Sequence, residues 1–218
     1  MIETYEDYKK EALRSIKPHT SKEMAIADWT LGLGGETGEL VELLMSAESP
    51  DRMVVAKELG DILWYGTALA SELEFDIKLE ELEEPSGCTL VPENLDEVPL
   101  LIEVFLTTCR IQENVKHLIF HKEESVKETI KRRLEYLYKL LRDLCSEIGI
   151  SIGDAAELNA AKLAYRYNLK NGGSYSKGAS ENRHSNEVSF EDTEEYKTLH
   201  KSITGQGQEI QPSDIAVL

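Results

Sequence analysis

Apolar side chains recur along most of this chain at intervals of three and four residues, and few segments alternate as a strand would. That period predicts an all-α architecture, an antiparallel helical bundle. A first helix is expected over roughly 3–16, broken by Pro18. Thr20 with Glu23 has the form of a capping box that opens a second helix, running to about residue 46. Ser49-Pro50 supplies an N-cap and a first-turn proline for a third helix over about 50–74. The stretch 81–99, rich in acids, proline and glycine, reads as a connection, and helices follow at about 97–121, 123–149 and 152–168. From NGGSYSKGASENR onward the chain turns polar and loses its period. Residues 184–218 are therefore expected as an acidic, flexible tail behind a single domain of residues 1–183.

The second and third helices are joined by only a few residues, so they must lie antiparallel and adjacent. Within this hairpin, 22–74, the apolar stripe is interrupted at a cost. The segment GGETGELVE (34–42) places Glu36 and Glu39 on the inward stripe beside Gly34, Gly35 and Gly38. Each glycine there costs roughly 1 kcal/mol of helix stability relative to alanine, and a carboxylate facing a core costs more unless it is neutralised. Glu36 and Glu39 precede the turn by about as many residues as Glu58 and Asp61 follow it. Both pairs thus stand at one height, about 15 Å from the turn. Each pair is spaced i, i+3 and shares a face. Glu36 continues the stripe of Leu40 and Leu43, and Glu58 falls in line with Val54, Val55, Ile62 and Tyr65. Four carboxylates therefore converge on a partly desolvated seam, where each pair about 4 Å apart repels by roughly 4 kcal/mol at an effective dielectric of about 20. A hard divalent cation resolves this: Mg²⁺ takes carboxylate oxygens, keeps several waters and bridges to phosphates. No histidine joins the quartet, which argues against zinc, and the Glu-x-x-His pattern of a di-iron bundle is missing. The plainer alternative, solvated charges on an exposed face, does not account for the interrupted stripes.

LGLGGETGELVELL (31–44), followed after the turn by KELGDILWY (57–65), resembles the MazG-like all-α nucleoside triphosphate pyrophosphohydrolases, a superfamily that includes dimeric dUTPases and phosphoribosyl-ATP pyrophosphohydrolase. NAAKLAYRY (159–167) and SENR, ending at Arg183, are similar to the family's closing segment. The resemblance covers roughly 20–77 and 150–183, so that 78–149 is an insertion relative to compact members. It departs from the pattern at Gly35, where many members carry a further glutamate. The resemblance implies Mg²⁺, with Mn²⁺ as a substitute, on Glu36, Glu39, Glu58 and Asp61. It also implies hydrolysis of a nucleoside triphosphate between the α and β phosphates, giving a monophosphate and pyrophosphate. One carboxylate would orient the attacking water; Glu39 is the candidate, although the residues themselves do not single it out. A homodimer is a further expectation. The alternatives are a dUTPase-like specialised hydrolase and a non-catalytic helical interaction protein.

Asn159, Lys162 and Arg166 are spaced i, i+3, i+7 and project from one helical face, a donor-rich edge suited to triphosphate oxygens. Ordinary surface solvation is the alternative for the two cations. Arg183, in a Gly/Ser-rich segment, is a candidate lid contact. Trp64 and Tyr65 directly follow the second acidic cluster and are candidates for the wall of a base pocket, with core packing an equal or better reading. Asp28, two turns before Glu36, is a weaker candidate for a base contact or a third metal. His117 and His121 are spaced i, i+4, but no carboxylate completes a familiar metal motif there. Sliding the chain by 75 residues lays 106–152 over 31–77 with the apolar stripe in register, while the four acids fall on Ile111, Asn114, Arg133 and Tyr136. On this reading the hairpin 97–149 is a catalytically empty partner that offers Arg133 or Lys116 toward the substrate.

Composition narrows the partners. The formal net charge is −17, which repels a phosphate backbone, and no Lys/Arg stripe with interleaved aromatics offsets it. Long nucleic acid is thereby disfavoured, and a small phosphorylated substrate needs cations to bridge it to the acids. The first residues carry no apolar leader and no run is long enough to span a bilayer, so a cytoplasmic protein without a membrane partner is expected. Cys88, Cys109 and Cys145 are scattered and never in a CxxC spacing, which reads as reduced thiols rather than a zinc site or disulfides.

Overall fold

Thr4 opens the first helix, α1 (Tyr5–Leu13), its hydroxyl accepting from the Asp7 N–H at 3.2 Å. The computed structural model describes residue 2 and residues 4–46, 50–77 and 99–205. Eight further α-helices follow among the described residues: α2 (Lys22–Ser46), α3 (Arg52–Glu72), α4 (Leu100–Phe120), α5 (Lys127–Glu147), α6 (Ile152–Arg166), α7 (Lys177–Glu181), α8 (Arg183–Glu191) and α9 (Glu194–Gly205). Two short 3-10 turns, Glu124–Val126 and Leu169–Asn171, complete them, and the described residues contain no strand, so the fold is all-α. Among the same residues no helix is long and apolar enough to cross a membrane. Cys109 and Cys145 are free thiols, and Cys88, Ser49, residues 81–98 of the expected connection and 206–218 of the expected tail lie outside the described residues.

The helix starts differ in detail from those read in the sequence. Ser21, rather than Thr20, caps α2, its hydroxyl accepting from the Met24 N–H at 3.2 Å. Asp51, not the Ser49-Pro50 pair, opens α3 by accepting from the Met53 N–H at 2.7 Å. An ionised carboxylate at a helix N-terminus both satisfies an orphan N–H and meets the positive end of the dipole.

Helices α2 and α3 form an antiparallel hairpin whose seam buries Leu33, Leu40, Leu44, Val55, Leu59 and Ile62. α4 lies along α2, α5 returns along α4, and α6 runs against α3 with α1 laid across both. Hydroxyl contacts stitch the two hairpins together: Thr37 meets Thr108 at 3.3 Å, and Thr67 meets Tyr138 at 3.2 Å. The close approach of α6 to α3 depends on Gly60, where a Cβ would lie 2.7 Å from the Asn159 Cβ and 2.8 Å from the Ala155 carbonyl oxygen. Gly34 serves packing as well, since a Cβ there would collide with Gln112 of α4, whereas Gly35 and Gly38 face open space.

Residues 184–205 are not a flexible tail. They fold into α8 and α9 against α3 and α6, and bury Phe190, Leu199 and Ile203. Tyr196, Leu199 and Ile203 recur at i, i+3, i+7, a short amphipathic period inside a polar background. Thr193 caps α9 by accepting from the Tyr196 N–H at 3.1 Å.

Gly60→Ala should cost about 1–3 kcal/mol through overpacking at the α3–α6 contact. Gly35→Ala meets nothing and should match wild type or gain up to about 1 kcal/mol of helix propensity. Thermal unfolding of the two variants checks this, and equal melting temperatures would contradict the seating of α6 on Gly60.

Candidate functional site

One turn of α2 presents Glu36 and Glu39, and α3 brings Glu58 to them across the seam. One oxygen from each lies within 4.8 Å of the others. All three line a cavity of about 500 Å³, whose other walls come from the rest of α2 and α3, the segment after α1, α6 and the α7–α8 segment. Burial, then the negative charges of Asp61, Glu39 and Glu58, push the Glu36 carboxyl up to about 8. Burial, then Asp61 and Glu39, push Glu58 up to about 7. Lys162 pulls both in the opposite direction without reversing either shift. One oxygen of Glu58, Oε2, is buried and has no hydrogen-bond partner among the described residues. A buried acceptor left unpaired is costly, and a hard cation would satisfy it while relieving the repulsion of the trio. The three side chains thus fit a divalent cation.

Asp61, expected as the fourth ligand, is outside the 4.8 Å cluster of oxygens, although its charge acts on both Glu36 and Glu58. Its carboxylate accepts from Lys162 Nζ at 2.7 and 2.5 Å and from Asn159 Nδ2 at 2.6 Å. Gly60 explains the difference: by seating α6 directly on α3, it brings Asn159 and Lys162 onto the neighbouring acid. Asn159, 1% exposed, is spent on Asp61 and on the Tyr8 hydroxyl, which donates to its Oδ1 at 3.0 Å. It does not line the cavity, so the substrate contact read from its spacing is not available. Lys162 and Arg166 do line the cavity, yet both are already paired, Lys162 with Asp61 and Arg166 with Glu187 of α8. Arg183 begins α8 rather than sitting on a flexible segment; it lines the cavity and makes no ion pair among the described residues.

Trp64 and Tyr65 are packed into the fold and also face the cavity. Trp64 Nε1 donates to Ser15 Oγ at 2.9 Å and the Ala12 carbonyl at 3.1 Å, with its ring edge-on to Trp29 and Tyr65. The second hairpin does not reach the site. Arg133 donates to the Arg110 carbonyl, Lys116 pairs with the exposed Glu113, and no residue of α4 or α5 lines the cavity. His117 lies at the surface beside Glu113 and Glu123, ring to ring with His121.

Sequence reasoning missed Lys57, Glu187 and the aromatic pair Tyr167 and Tyr175, all of which line the cavity. Lys57 pairs with Glu191 at 2.5 Å, so two of the missing partners lie on α8, in the stretch expected to be mobile. The Tyr196–Leu199–Ile203 period was the available signal for that stretch. The chain matches no protein-family model, no curated protein and no solved structure.

Because Glu36 and Glu58 hold protons in the fold at pH values where the unfolded carboxyls have lost them, the folded state is the more protonated one between about pH 4.5 and 8. Metal-free stability should therefore fall as pH rises through that window and level off above it. Glu36→Gln should flatten the fall and raise the melting temperature at the alkaline end by about 2–4 °C per kcal/mol of repulsion removed. Thermal melts in chelator across this range check the sign, which a steeper fall in the variant would reverse.

Proposed function

We propose that the protein is a Mg²⁺-dependent nucleoside triphosphate pyrophosphohydrolase of the MazG-like all-α type, cleaving its substrate between the α and β phosphates. The observation that carries this reading is a single cavity in which the Glu36–Glu39–Glu58 cluster faces Lys57, Lys162, Arg166 and Arg183, with aromatic rings between them. A triphosphate needs both sides, a cation to reach the acids and fixed N–H donors for its remaining oxygens. Glu36, Glu39 and Glu58 would hold the metal, and Mn²⁺ would substitute for Mg²⁺. When bound, the metal supplies charge neutralisation and Lewis-acid polarisation at the phosphates.

The chain's own groups do the rest. Glu39, the exposed member of the trio, accepts the proton of the water that attacks the α-phosphorus in line with the departing pyrophosphate. Asp61 holds Lys162 at the cavity wall, where its remaining N–H faces the phosphates. Arg166 exchanges Glu187 for a phosphate oxygen, and Arg183 adds a charge from the start of α8. Trp64 and Tyr65 flank the nucleoside. The alternative of a non-catalytic interaction protein leaves the orphaned Glu58 oxygen without a purpose.

Pyrophosphate release from a panel of common and modified (deoxy)nucleoside triphosphates should require Mg²⁺ or Mn²⁺ and stop in chelator. Glu39→Gln should lower the rate by at least about a hundredfold while the helical circular-dichroism signal is retained. Release without a divalent cation, or full activity in that variant, would overturn the reading.

A further inference from the structure

The cavity has a second polar end, away from the trio. Asp28 lies on α2 eight residues before Glu36, about 12 Å along the helix, and lines the same cavity. Its carboxylate is fixed by two groups from the segment between α1 and α2: Lys17 Nζ at 2.7 Å and His19 Nε2 at 2.9 Å. The nearest approach of each falls on Oδ2. The His19 ring is itself braced edge-on against Trp29, centroids 4.6 Å apart. The Asp28 side chain is still 37% exposed, enough for a ligand to reach it. Burial works against its ionisation, but Lys17 and His19 outweigh it and hold the carboxyl below its ordinary range. Tyr65 lies between the two ends of the cavity, its hydroxyl pushed up to about 12 by burial, then by the charges of Glu36 and Asp28.

This arrangement has the length and polarity of a nucleotide. With the α-phosphate at the trio and the nucleoside along Tyr65, the far edge of the base comes to Asp28. An ionised carboxylate accepts hydrogen bonds and cannot donate them. We propose that Asp28 reads the base, its carboxylate accepting from an exocyclic amine, so that the protein prefers cytosine to uracil and adenine to hypoxanthine. The inference rests on the nucleotide-hydrolase reading and deepens it. Each preferred base differs from its counterpart in presenting an amine where the other presents a carbonyl oxygen. The oxygen would set a lone pair against a fixed negative charge and leave the carboxylate without its partner. Lys17 and His19 are positioning residues, since they aim the carboxylate and keep it ionised. The same polarity disfavours uracil, and with it the dUTPase-like alternative.

The test is equilibrium binding, in Mg²⁺, of α,β-imido triphosphates, which cleavage between the α and β phosphates does not consume. The cytosine analogue should bind about tenfold or more tightly than the uracil analogue, and adenine than hypoxanthine by a similar factor. Asp28→Asn should narrow each difference to under about twofold, mainly by weakening the amino-bearing analogue. Lys17→Ala, which leaves Asp28 in place but loosens it, should narrow the difference in part. Equal affinities in the wild type, or a difference that survives in Asp28→Asn, overturn the assignment of Asp28 while leaving nucleotide binding intact. Failure of every analogue to bind overturns the assignment and the hydrolase reading together.

Discussion

Three glutamates, one oxygen of each within 4.8 Å of the others, repel across the α2–α3 seam, where Leu40, Leu59 and Ile62 bury the ground beneath and two of the three acids are partly buried. The hairpin cannot relax the repulsion by turning either helix, since the same rotation would expose the core stripe. Two of the acids respond by holding protons near neutral pH, and Asp61 responds by taking Lys162. A buried pair of this kind is tolerated only when its remaining lone pairs are also satisfied. Asn159 does that from α6, and the Tyr8 hydroxyl from α1 orients Asn159 in turn. The neighbouring helices are thus locked to the hairpin by one polar chain that ends on an acid of the cavity.

The cations of the cavity follow from the same excess of negative charge. In a chain of net charge −17, lysines and arginines readily find carboxylates, and Arg166 and Lys57 find theirs on α8. In both pairs the cation is largely buried and the carboxylate is the more exposed partner. On the proposed function, a phosphate oxygen would replace Glu187 or Glu191 as partner, and the pairing meanwhile keeps the long side chains extended toward the cavity. α8 is consequently part of the site, although its own residues contribute few apolar contacts beyond Phe190.

Much of the architecture was legible because helical period and short connections leave few choices. The α2–α3 hairpin, the common height of its acidic pairs, and the later helices α4, α5 and α6 all follow from spacing. What spacing could not supply was any contact between elements distant in sequence. Asp61 has the same local credentials as Glu58, and only α6 separates their roles. Asn159, Lys162 and Arg166 share one helical face, yet the first is consumed inside the fold while the other two reach the cavity. Gly34 and Gly35 are adjacent and alike in sequence, but one sits beneath Gln112 and the other faces open space.

Residues 184–205 show the limit most directly. A polar stretch with three periodic apolar residues is marginal as an isolated helix, and becomes a helix only where a groove between α3 and α6 accepts those residues. The sequence by itself determined the helical class, the hairpin and the convergence of Glu36, Glu39 and Glu58, because each depends on a period or a rise per residue within one short segment. Tertiary structure alone decided which acid is neutralised, which cations face the cavity and whether the last helices form. Those outcomes depend on energies of contact between segments that no local pattern encodes.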